Sequence, residues 1–180
     1  MKRIIFMIFL VALAWASAGC GVLNPLTGGD QGMRTVSQLW SDVPPMDGLT
    51  LSQMDMPLPI KLIARTVIGN LGRLNKEGED RRTGNIDWLV FTSSKPPSDV
   101  ANFYTSDRMA ASGWDRTDSS PCVSGGAQGI PQVGLLCVFT KQQGGTQTQL
   151  AIIATQDDKR NETNVFFLRL EVTGTPTPGN

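Results

Sequence analysis

Apolar side chains recur at Ile60, Ile63, Ala64, Val67, Ile68, Leu71 and Leu74. That is the i, i+3, i+4, i+7 spacing of a helix with one buried face. Pro59 suits the first helical position, and Arg73 and Lys76 suit the negative end of the helix dipole. Gly69 and Gly72 weaken the helix by about 1 kcal/mol each relative to alanine, and the branched residues leave a strand as the alternative. A charged stretch follows at 76–85. The run 86–92, with Trp88, Leu89, Val90 and Phe91, has the branched and aromatic content of a buried strand. Lys95-Pro96-Pro97-Ser98-Asp99 reads as a helix start, with proline early and an acid in the first turn. Val100, Phe103, Tyr104 and Ala111 would line its inner side, Gly113 would end it, and Trp114 would fold back over the last turn.

The rest of the chain is β in character. A short strand is expected over 114–117, then strands over 133–140, 146–155 and 165–172. Gln142-Gln143-Gly144-Gly145 turns the first hairpin and residues 157–162 form the tip of the second. Helix, strand, helix and then several strands point to an α+β fold. The expectation is an antiparallel sheet of about four to five strands, with two helices packed on one face and a wetter opposite face.

Both ends of the chain break this pattern. Residues 4–14 carry no polar side chain, follow Lys2-Arg3, and lead into the small residues of Ala16-Ser17-Ala18-Gly19. These are the three parts of a secretory signal, and the apolar run is short of the about 20 residues that span a bilayer. Residues 21–43 are rich in Gly, Asn, Thr, Ser and Pro, which marks a flexible tether, although Val36, Leu39 and Trp40 could dock on the domain. The Pro44-Pro45-Met46-Asp47-Gly48 turn marks the start of order. The divisions are therefore 1–19 as signal, 20–43 as tether, 44–173 as one α+β domain, and 174–180 as a disordered Thr/Pro end.

Ser17-Ala18-Gly19-Cys20 resembles the lipobox of bacterial lipoproteins, with serine where that family prefers leucine. The resemblance implies cleavage before Cys20, diacylglycerol on its thiol, often a fatty acyl chain such as palmitate on its new amino end, and an extracytoplasmic position at the cell membrane or outer envelope. Ala16-Ser17-Ala18 is also an A-x-A cleavage site, so release is one alternative and an uncleaved anchor is another. The strand, the helix with Phe103-Tyr104 that ends in Gly113-Trp114, and the meander loosely resemble small exported domains of unknown function that share no activity.

Composition adds mostly exclusions. The chain has 16 basic and 16 acidic residues and no net charge, which argues against nucleic acid as a partner. It has no histidine, the commonest general base and metal ligand. No cofactor, metal site or catalytic residue is expected. With Cys20 lipidated, Cys122 and Cys137 remain as an even pair outside the cytoplasm, the setting of a disulfide. The alternative is two buried free thiols.

The weaker candidates favour structural readings. Gly125-Gly126-Ala127-Gln128-Gly129 lacks the lysine and the helix start of a phosphate loop. Asp157, Asp158, Asn161 and Glu162 offer oxygens to calcium, but Lys159 and Arg160 offset their charge and the spacing is not that of an EF-hand. Glu77, Glu79, Asp80, Arg81 and Arg82 read as a solvated loop. The function expected is a membrane-anchored, non-catalytic module that binds an envelope protein or another envelope component. The alternative is a small-ligand binder with a cleft between helices and sheet.

Overall fold

Seven strands and three helices make up the described part of the chain. The computed structural model describes residues 32–73, 82–116, 120–125 and 134–173, with side chains left undescribed at 67–73, 82–85 and 173. In chain order the elements are β1 (Met33–Thr35), β2 (Thr50–Ser52), α1 (Leu58–Arg73), β3 (Arg82–Ser93), α2 (Pro97–Phe103), α3 (Ser106–Ala111), β4 (Cys122–Ser124), β5 (Leu135–Gln143), β6 (Thr146–Asp157) and β7 (Glu162–Thr173). The sheet runs β1-β3-β7-β6-β5-β4, and β2 also pairs with β3. Every pairing is antiparallel except that of β1, which lies parallel to β3.

The fold is α+β, as expected, but the sheet is larger than four to five strands. The additions are β1, β2 and β4, each three residues long. So short a strand shows no alternation to read. Residues 114–116 contain no strand and are tied to β5 through Asp115, whose N–H donates to Thr140 O at 2.8 Å and whose carboxylate accepts from the Thr140 hydroxyl at 3.1 Å.

The helices do not share a face. Alternate residues of the central strands point opposite ways, and each set has its own cover. On one face Leu150, Ile152, Ala154, Val165 and Phe167 pack with Val100 of α2, Met109 of α3, and Val43 and Met46. On the other face Ala151, Ile153, Phe166 and Leu168 pack with Met56 and with Ile60 and Ala64 of α1. Residues 148–154 of β6 are therefore buried without interruption. A strand covered on both sides reads as continuously apolar instead of alternating, and Leu150-Ala151-Ile152-Ile153-Ala154 carries that pattern.

The single second helix expected after Pro97 is two. Tyr104 leaves helical geometry, and Thr105 caps the next helix by accepting from Arg108 N–H. At the far end Gly113 (φ 87°) donates to Ala110 O, and Trp114 N–H donates to Met109 O. This is the Schellman pattern, with glycine in the left-handed position. Trp114 and Met109 are buried in the same cluster. In the β5–β6 hairpin Gly144 (φ 57°) and Gly145 (φ 78°) occupy both turn positions, the backbone of a type I′ turn.

Residues 32–43 belong to the same compact unit as the sheet. The strap from Val36 to Leu49 crosses the α2/α3 face. Val43 and Met46 enter the core, and Val36, Leu39, Trp40 and Leu49 pack against it. Residues 1–31 and 174–180, including the signal, Cys20 and the Thr/Pro end, lie outside the described residues.

Candidate functional site

β1 and β2 share the outer edge of β3. β1 runs opposite Ile86–Trp88 and β2 opposite Val90–Thr92. One is parallel and the other antiparallel, so their C-terminal ends approach each other head-on at Leu89. Both chains must turn aside there, and a cleft of about 390 Å³ opens where they part. Thr35, Val36 and Ser37 form one wall, and Leu51, Ser52, Gln53, Met54 and Asp55 form the other. Trp88, Leu89 and Val90 form the floor. Bidentate contacts between the Arg34 guanidinium and the Asp87 carboxylate, at 2.8 and 2.7 Å, hold the parallel register beside it. This pairing raises the pKa of Arg34 above its ordinary value, first through the hydrogen bond and then through charge.

Three hydroxyls, one amide and one carboxylate line the cleft beside six apolar side chains. A hydroxyl needs a neighbouring base to act as a nucleophile, and Asp55 is the one ionisable side chain among the lining residues. The arrangement suits hydrogen-bonded recognition of a polar segment, with the carboxylate favouring a positive group.

A second cluster fastens the strap. The Asp42 carboxylate accepts from Arg169 Nη1 at 2.8 Å and from Lys141 Nζ at 3.1 Å. The three side chains are 15–18% exposed. Arg169 also pairs with Glu171 at 2.8 Å, and its guanidinium lies 5.6 Å from the Trp40 ring centroid. The Trp114 indole N–H donates to Asp42 O at 2.6 Å, and the Tyr104 hydroxyl donates to Pro44 O at 3.0 Å. Tyr104 is fully buried, and burial pushes its phenol well above the ordinary value. The cluster closes on itself, which makes it a fastening and not an open site.

Cys122 and Cys137 are bonded and stand directly opposite each other on β4 and β5. Of the four residues offering oxygens at 157–162, Asp157 serves the β6–β7 turn. The Asp157 carboxylate accepts from the backbone N–H of Lys159 and Arg160 at 3.1 and 3.3 Å, and Asn161 takes a positive φ of 53°. Among the described residues no three acidic or cysteine side chains are grouped to hold a metal. Residues 126–129 of the glycine cluster and 77–81 of the mixed charge run lie outside the described residues. Trp40 is half-buried against the core beneath Arg169. The lining of the cleft escaped the sequence reading because it depends on where β1 and β2 end. This cleft lies at the sheet edge and not between helices and sheet.

Comparison with family models, curated proteins and solved structures finds no match to this chain.

Proposed function

We propose that the protein is a membrane-anchored extracytoplasmic lipoprotein, held by lipid on Cys20. Its domain is a non-catalytic module that binds an extended segment of an envelope protein in the β1/β2 cleft. The observation that carries the reading is the head-on approach of two edge strands at Leu89, which leaves a half-open hollow lined by hydroxyls and apolar side chains, beside central strands that are covered on both faces among the described residues. Asp55 favours a lysine or arginine in the bound segment. The Cys122–Cys137 bond suits an oxidising compartment, and the absence of histidine supports binding over catalysis. A small polar ligand is the second reading, favoured by a volume of about 390 Å³, within the range of ligand pockets.

The test places a photo-crosslinking residue at Gln53 in living cells. One discrete protein adduct is expected, and Asp55→Lys should abolish it. A diffuse adduct pattern unchanged by Asp55→Lys overturns the cleft as a protein site, and a small molecule that co-purifies and is lost on Asp55→Lys supports the second reading. Cys20→Ala should move the processed chain out of the membrane fraction. Retention of a processed Cys20→Ala chain there would falsify the lipid anchor.

A further inference from the structure

The first two turns of α1 have apolar residues on both sides. Ile60 and Ala64 face the core, at 3% and 0% exposed. Leu58 and Leu62 point the other way, at 65% and 52% exposed. They are one turn apart and so adjoin on the helix surface. Arg65 is exposed on the same side as Leu62, since residues three apart share a face. The first turn holds no acidic residue, although an acid there would stabilise the helix. A single exposed leucine is ordinary; two stacked leucines beside an arginine match the surface of an interfacial helix, whose apolar side chains enter a bilayer boundary while cations meet anionic headgroups.

We propose that this outward face of α1 seats on an anionic membrane surface, with Leu58 and Leu62 inserting and Arg65 meeting lipid phosphate. The inference rests on the anchor reading. The chain from Cys20 to Gly32 can extend at most about 40 Å at about 3.5 Å per residue. An anchored domain therefore stays within that distance of the bilayer, and effective concentration makes a weak contact sufficient. The lipid keeps the protein at the membrane; α1 fixes which way the domain faces and where its cleft is presented.

Leu62→Cys supplies a single free thiol in the lipidated chain, because Cys20 carries lipid and Cys122 and Cys137 are bonded. The full lipidated protein, labelled there with a polarity-sensitive fluorophore, is reconstituted into vesicles of phosphatidylcholine alone or mixed with phosphatidylglycerol. A blue shift and intensity rise are expected on the mixed vesicles and not on the neutral ones. The added substitution Arg65→Glu should remove them, and a label at Gln142→Cys should show neither. Near-ultraviolet circular dichroism checks that each variant is folded. Flotation with both vesicles while position 62 stays aqueous overturns the α1 contact alone. Failure to float with either overturns the anchor reading and this inference together. Shielding of position 62 only with envelope extract, with a crosslink to a protein, also overturns it by assigning the face to a protein partner.

Discussion

Tyr104 is the one tyrosine in the chain, and it touches three parts of the fold. Its ring meets Phe103 at 4.9 Å and Phe167 at 5.7 Å edge-on, and its hydroxyl holds the strap at Pro44. Burial is the larger influence on its ionisation, with Arg108 opposing it weakly. The folded pKa therefore lies above the value of about 10 in an unfolded chain. Stability from the neutral phenol is fully present below about pH 10 and is lost as pH rises from there toward the folded pKa. Denaturant titrations across that window should show stability falling for the native chain and a shallower fall for Tyr104→Phe. Phenolate absorbance of the native chain should appear only together with unfolding; phenolate in the folded protein would contradict the burial. At neutral pH the same variant should cost about 1 kcal/mol, through the lost bond to Pro44 O. The inward place of Tyr104 and the Gly113-Trp114 closure were legible from spacing. The partners of Asp42 were not, because Lys141 and Arg169 are far along the chain and meet it only after folding.

Strand length governs what could be read at the scale of elements. β5, β6 and β7 have 9, 12 and 12 residues, enough for apolar content to mark them. β1, β2 and β4 are fixed by their partners: β1 by Arg34 on Asp87, β4 by the bond from Cys122 to Cys137. The cysteine pair was legible by count; that it staples a sheet edge was not. With 15 residues of separation, reduction should lower unfolding free energy by about 3 kcal/mol in the chain-entropy account. Chemical denaturation of Cys122→Ala/Cys137→Ala against the native chain measures this, and equal midpoints would show that β4 holds without its staple. The continuous burial of β6 also hides the second covered face from the sequence: a run apolar on both sides gives no periodicity to distinguish a covered face from a wet one.

At the scale of the whole molecule, the best-protected part should be the centre of the sheet. β7 lies between β3 and β6, and its residues 165–168 are buried without a break. Hydrogen exchange should therefore be slowest in β6 and β7, and fastest among strands in the three-residue edges β1, β2 and β4. Protection of β2 equal to that of β7 would mean that the cleft wall is as rigid as the core, a poor fit to a surface that receives a partner. The parallel pairing of β1 has a mechanical side. The bonds from Ile86 N–H to Gly32 O and from Val36 N–H to Trp88 O brace both ends of β1. Tension applied at Gly32 along the strand loads them together in shear, whereas a pull across the strand would peel them open one after another. Chain drag from a membrane attachment would thus be resisted at the first residues of the folded unit, and the cleft wall built by Thr35 would keep its shape under load.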